Sequence, residues 1–272
     1  PLSHPLNDIF QFTFTLKDED FANSKSQIKA LQLSRRYQEA DWLRLQYLRW
    51  HNESWYHEYS KQDKSKEVTD SIANKYFIPG INWSKTLRRG SPLDPSYGVS
   101  QRYNIEMAHQ QLASQQSFLR LYAKWQYLNL FAPKHRLVVR AELGAIFSPD
   151  ETTLAPSLLF YAGGDQSIRG YAYQSIGTHL TTDDGDNDII IGSSRLAVAS
   201  VEYQYYLNKK WRLALFSDAG SANNKNKFKP VVSLGYGLHY LTPIGAVRVN
   251  IGHGINADTN QWRIHLSLGA EL

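Results

Sequence analysis

The 272-residue chain contains no cysteine and a single methionine. The missing thiols exclude a disulfide framework and any thiolate-held zinc or iron-sulfur centre, while leaving the compartment open. Also missing is a continuous apolar run of about 18 residues, so no segment reads as a membrane-spanning helix. Cationic clusters are lacking too. The 30 Lys and Arg, set against 25 Asp and Glu, are dispersed and offer no row of charges to neutralise a nucleic-acid backbone. The chain opens Pro1-Leu2-Ser3 without an initiator Met or a charged-then-apolar export segment, which reads as a processed chain or a piece of a longer one.

What is present is apolar and aromatic. At 42% hydrophobic, with 7 Trp, 17 Tyr and 11 Phe, the chain is unlike a disordered polymer. Its dominant signal has a period of two, the repeat that sends successive side chains to opposite faces of a strand. In the last segment Trp262, Ile264, Leu266 and Leu268 alternate with Arg263, His265, Ser267 and Gly269. Near 227 to 241, Leu234, Tyr236, Leu238 and Tyr240 oppose Ser233, Gly235, Gly237 and His239, and in 244 to 252 Val247, Val249 and Ile251 oppose Arg248, Asn250 and Gly252. Segments 196 to 207 and 210 to 220 behave alike, as do 116 to 129 and 134 to 147 upstream. Phe10, Phe12, Phe14 and Leu16 alternate with Gln11, Thr13, Thr15 and Lys17, and four weaker segments lie near 25 to 37, 41 to 54, 72 to 87 and 99 to 112. Together these predict twelve strands.

The connections alternate in length. Short turns are expected near 38 to 40, 130 to 133, 207 to 209 and 242 to 243, and longer links at 55 to 71, 148 to 188, 221 to 226 and 253 to 260. Segment 88 to 98 reads as a long link where a short one is due. Alternating short turns and long loops are the habit of outer-membrane barrels. A soluble sandwich or lipocalin-type barrel has the same alternation, but three features count against it. About ten residues per strand suit a tilted membrane strand, Trp and Tyr fall near strand ends, and the polar face carries charges that a dry core rejects. The predicted fold is all-β, an antiparallel transmembrane barrel in which residues 1–272 form one domain and the link at 148 to 188 folds inward.

That link holds the run Phe160-Tyr161-Ala162-Gly163-Gly164-Asp165-Gln166-Ser167-Ile168-Arg169-Gly170-Tyr171. Gly163 and Gly164 permit a tight turn, and Arg169 is presented among aromatics. An Arg carried into a lumen needs carboxylates, because a guanidinium away from bulk water is costly unless paired. Glu202 and Asp218, on the inward faces of the next two strands, are the candidates.

The segment GGDQSIRGY (163 to 171), the inward Glu202 and the run FSDAG (216 to 220) resemble the loop-six Arg-Gly motif and its partner strands in the outer-membrane assembly and secretion superfamily, which includes BamA, TamA and the two-partner secretion transporters. FYAGGDQSIRGY, VEYQYY and the closing LSLGAEL most resemble its TamA branch. The resemblance covers essentially the whole chain. It implies that Arg169, with Gly170 and Tyr171, is clamped by Glu202 and Asp218 above the Gly163, Gly164 and Asp165 turn. It also implies that strand 261 to 272, with Gln261, Arg263, His265, Gly269 and Leu272, forms one side of a lateral seam. Family barrels have sixteen strands preceded by periplasmic POTRA domains. Twelve strands and no POTRA domain are read here, so the chain is expected to be the C-terminal part of such a barrel, with a smaller self-closed barrel as the alternative.

Other constellations are weaker. Asp183, Asp184, Asp186 and Asp188 lack the spaced Glu of a calcium loop and read as solvated. His51 and His57 lack a third ligand and read as interfacial residues. Ser175, His179 and Asp183 share a loop without a nucleophile elbow. The expectation is a non-enzymatic factor of the bacterial outer membrane, without cofactor or metal. Its implied partners are outer-membrane or autotransporter client proteins, the bilayer and a TamB-like periplasmic protein, with no nucleic acid. A secretion pore or passive porin-like channel stands as the alternative.

Overall fold

The computed structural model describes residues 7–60, 66–68, 71–150, 153–181, 188–224, 228–255 and 262–270. In chain order the strands are β1 (Asp8–Phe21), β2 (Ser24–Glu39), β3 (Trp42–Ser60), β4 (Lys66–Val68), β5 (Ile72–Gly90), β6 (Pro95–Ala108), β7 (Phe118–Ala132), β8 (His135–Phe147), β9 (Thr178–Thr181), β10 (Asp188–Ile191), β11 (Arg195–Tyr206), β12 (Trp211–Asn223), β13 (Val231–Thr242), β14 (Gly245–Gly254) and β15 (Trp262–Gly269). Twelve of them form one continuous wall in the order β1-β2-β3-β5-β6-β7-β8-β11-β12-β13-β14-β15. β4 extends the β3 edge, and β9 and β10 make a separate two-stranded hairpin. Among the described residues β1 and β15 each pair on one side.

The period-two pattern produces this wall by sorting side chains onto two surfaces. Phe10, Phe12, Phe14 and Leu16 on β1 and Trp262, Ile264, Leu266 and Leu268 on β15 are exposed on the outside, where hydrocarbon replaces water as solvent. The intervening residues face inward. Outward Trp and Tyr gather near the short turns, with Trp211 and Tyr240 at 4.7 Å between ring centroids and Tyr97 and Tyr127 at 5.9 Å, where an amphipathic ring suits the membrane interface.

Several boundaries differ from the sequence reading. The segment expected as a long link at 88 to 98 is mostly strand. Arg88 pairs with Gly98 and Arg89 with Tyr97, leaving a short turn between Gly90 and Pro95 with a register shift at its edge. Alternation is obscured there because the bulge changes which face successive residues meet. β3 and β5 run for 19 residues each, ending at Ser60 and Gly90 where 54 and 87 were expected, so part of each projects beyond a hydrocarbon layer that about 9–11 residues can cross. β1 and β2 meet through only Ala22 and Asn23, a tight turn on the side where loops are long.

The 148 to 194 connection enters the lumen. Its Leu154, Ala155, Leu158, Leu159, Phe160, Ala162 and Ile168 pack with inward Trp55, Tyr76, Ile78, Phe118, Ile146, Leu196 and Val198 in one buried cluster. The loop thus packs on an apolar patch of an otherwise polar inner wall. This cluster fixes where the loop tip can reach.

Candidate functional site: the loop tip and its wall

The base of the tip is a small antiparallel bridge, Ala162 N–H donating to the Ile176 carbonyl at 2.9 Å and Ile176 N–H to the Ala162 carbonyl at 3.0 Å. Gly163 and Gly164 follow at φ 101° and 100°, values that a side chain makes costly. The Gly163 N–H donates to Ser167 Oγ and the Gly164 N–H to the Tyr171 carbonyl, both at 3.2 Å. Ile168 is fully buried and seats the tip, so Arg169 projects onto the wall. Asp165 accepts from Gln166 at 3.0 Å and makes no contact with the Arg169 carboxylates.

Arg169 is 2% exposed. Its backbone N–H and Nε donate to Asp218 Oδ2 at 3.0 and 2.9 Å, and Nη2 donates to Asp218 Oδ1 at 2.8 Å. Nη1 donates to Glu202. This is the fork-to-carboxylate geometry that lysine lacks. Glu202 is held by Gln204 Nε2 at 2.6 Å and Asp218 by Ser200 Oγ at 2.7 Å. Ser200 also accepts from Arg169 Nη2 at 3.2 Å and Arg140 Nη2 at 3.1 Å. Two guanidinium groups therefore share a buried pocket with two carboxylates, and the local charge closes near zero. Burial works against the Arg169 charge, but the bonds and charges of Asp218 and Glu202 outweigh it and lift its proton affinity above the ordinary guanidinium value.

Beneath the tip the wall is glycine. The Arg169 guanidinium lies 3.4 Å from the centroid of the Phe216 ring, and that ring occupies the space a side chain would take at Gly235, its cross-strand partner. A Cβ on Gly252 would sit 2.7 Å from the Arg169 carbonyl oxygen, and one on Gly254 would sit 2.9 Å from the Tyr171 ring. Gly170 is equally constrained, its Cβ position being 2.6 Å from the His253 carbonyl carbon. A trough floored by glycine lets two backbones approach where side chains would hold them apart.

The structure brings together Arg169, Gly170, Tyr171, Glu202 and Asp218. Of the five residues named for the seam, three are described and share one row. Arg263, His265 and Gly269 lie on the inward row of β15, and His265 Nε2 bonds the Arg169 carbonyl oxygen at 2.7 Å. Gln261 and Leu272 fall outside the described residues, as do Asp183 to Asn187. Ser175 bonds the Ala172 carbonyl of its own turn. His51 is buried on the inward face beside Glu53 at 2.9 Å, a correction to its reading as interfacial, since the wall places odd-numbered β3 residues inside. Sequence reasoning missed Ser200, Gln204, Phe216, Arg140 and Gly252. Phe216 carried a signal, being the aromatic on an otherwise polar face.

A second anchor holds the earlier limb of the loop. Glu53 accepts from the Ser157 N–H at 3.2 Å and from the Ser157 hydroxyl. Arg120 Nε donates to the Leu158 carbonyl at 2.9 Å while its guanidinium lies 4.6 Å from the Phe160 ring centroid. Glu106 is ion-paired to both Arg49 and Arg120, at 2.8 and 2.9 Å.

A long antiparallel wall with an apolar exterior, a polar charged interior and an inward-folded loop is that of a transmembrane β-barrel of the outer membrane. The model of the Omp85 superfamily domain matches residues 8–272, and the chain belongs to that superfamily. It is 26% identical over 219 residues to outer membrane protein assembly factor BamA of Nitratidesulfovibrio vulgaris (strain Hildenborough), an alignment covering 76% of this chain and 26% of the relative. The crystal structure of BamA from Haemophilus ducreyi lacking POTRA domains 1–3 superposes with a TM-score of 0.75 at 16% identity, over 94% of this chain and 56% of that one. CdiB from Acinetobacter baumannii aligns with a TM-score of 0.48 at 13% identity, over 94% and 52%. The chain thus spans about a quarter of the curated relative's length.

Proposed function

We propose that this chain works as a barrel that assembles or translocates β-rich client proteins in the outer membrane, without covalent chemistry or cofactor. The observation that carries the reading is the clamp, a buried Arg169 holding a lumenal loop against β11 to β15. A wall so braced can keep its last strand competent to pair with a client strand, because an exposed edge is a template for further pairing. β15 offers such an edge among the described residues. Family membership and a relative named as an assembly factor support the reading.

Within the superfamily we read the chain as TamA-like, on the FYAGGDQSIRGY and VEYQYY runs, with autotransporter-like clients and a TamB-like periplasmic partner. Residues 1–272 are then a barrel domain working with POTRA domains and further strands of a sixteen-stranded wall. The test is site-specific cross-linking in the Cys-free background. Cysteines introduced one at a time on β15 and in the terminal strand of a model autotransporter are expected to join during assembly. Absence of cross-links at every β15 position, with assembly intact, would overturn the reading.

A secretion pore is the second reading, favoured by a cavity of about 540 Å³ lined by Thr13, Thr15, Gln32, Asn82 and Arg102. High steady conductance in planar bilayers, with no client defect on deletion, would select it.

A further inference from the structure

Arg169 is bonded at both ends of its backbone and along its side chain. Its N–H reaches Asp218 on β12, its guanidinium reaches Glu202 and Ser200 on β11, and its carbonyl accepts from His265 on β15. Gly252 on β14 and Ser233 on β13 lie against the Arg169-Gly170 peptide between these points. The Arg169-Gly170 pair therefore lies against five adjacent strands, and the farthest bond of Arg169 falls on the last of them.

That last bond differs from the others. β11 to β14 are each held by ladders on both sides, whereas β15 has a ladder only to β14 among the described residues, from Ala246↔Gly269 to His253↔Trp262. Its Trp262, Ile264, Leu266 and Leu268 point outward and gain nothing from the lumen. His265, near the middle of the strand and paired with Asn250, is its inward contact with the loop tip. A carbonyl can only accept, so Nε2 carries the hydrogen in this bond whether the ring is neutral or charged.

We propose that His265 is a positioning residue, the pin by which the loop clamp fixes the margin strand β15. The proposal rests on the reading of β15 as the working edge and adds how that edge is governed. Release of the Arg169 carbonyl frees β15 to part from β14 or to tilt, while Asp218 and Glu202 keep the loop seated. The clamp and the edge are then separable, with the loop tip reporting to the edge through the His265 hydrogen bond.

The experiment measures amide hydrogen exchange of the full-length protein in lipid vesicles, for wild type, His265→Ala and His265→Gln, alongside client assembly in cells. Loss of a single hydrogen bond of this kind is expected to speed exchange of the β14–β15 ladder by roughly fivefold in His265→Ala, with β11 and β12 unchanged. His265→Gln, which restores a side-chain N–H donor, is expected to recover most of the protection. Unchanged β15 exchange in His265→Ala overturns the pin, and so does an equal rise across β11, β12 and β15, which would mark general loosening. Faster β15 exchange with altered assembly supports both pin and edge. Faster β15 exchange with wild-type assembly upholds the pin and removes β15 as the working edge.

Discussion

The two margins of the wall are built from different materials. The first 79 residues contain no glycine, and β1 to β3 present full side chains on both faces. β13 to β15 carry glycine at 235, 237, 245, 252, 254 and 269, with 235, 237, 252 and 254 on inward positions of β13 and β14. Against the first margin lies a broad polar cavity, and the loop meets that side through long side chains such as Glu53 on β3 and, farther along the wall, Arg120 on β7. Against the second the loop backbone lies directly on the wall backbone. The difference shows that a β-wall can hold an internal loop either at arm's length, by side-chain hydrogen bonds and a cation–π contact, or in close contact, by deleting side chains. Close contact gives the tip one defined position, which a clamp acting on a strand edge requires.

The comparison breaks hardest at its centre. Arg169→Ala leaves Asp218 and Glu202 buried without their partner, and is expected to lower stability by about 3–5 kcal/mol. Urea unfolding of the reconstituted protein would read this as an earlier midpoint, and a wild-type midpoint together with normal client assembly would remove the clamp. Next is crowding of the trough. Gly252→Val forces side-chain atoms into the Arg169-Gly170 backbone and should cost about 1–3 kcal/mol. Thr15→Val on β1, facing the open cavity, should change the same unfolding curve by less than about 0.5 kcal/mol. Equal effects at the two sites would erase the distinction between the margins.

The arm's-length anchor is expected to be softer. Glu53→Gln replaces a carboxylate that accepts from Ser157 twice and from His51, for a loss of about 1–2 kcal/mol. Limited proteolysis should then cut near 153 to 160 faster while sparing 163 to 171, and unchanged cleavage at both would show that this limb is held by its apolar cluster alone. The smallest effect concerns turns. The glycine-free first 79 residues make their left-handed turns with Ala22 at φ 49° and Ala40 at φ 50°, whereas the β13–β14 turn uses Gly245 at φ 134°. Ala40→Gly removes the Cβ penalty and should raise stability by no more than about 1 kcal/mol, read as a later unfolding midpoint, part of it offset by unfolded-chain entropy. A lowered midpoint would mean the alanine turn is unstrained.

Much of this was legible in the residues. Alternation in Trp262 to Leu268 or Leu234 to Tyr240 is a local property, readable because one surface meets lipid and the other the lumen. The number of wall strands followed from it. Less legible was 88 to 98, where a bulge scrambles the alternation, and the extra height of β3, whose upper part has no lipid to impose a pattern. At the loop, Arg169, Glu202 and Asp218 were visible as groups needing one another. Phe216 and Ser200 were not, since their roles come from lying beside the guanidinium.

By itself the sequence determined the strand period, the facing of each side chain and the glycine-bracketed arginine, because these depend on neighbours one or two residues away. Only the tertiary structure decided that β8 pairs with β11 across the whole 148 to 194 connection, that the tip lies over Gly252, and that His265 reaches the Arg169 carbonyl. Those contacts join residues up to 96 positions apart. They depend on wall curvature, register and the volume of the loop's apolar cluster, none of which is encoded in the order of nearby residues.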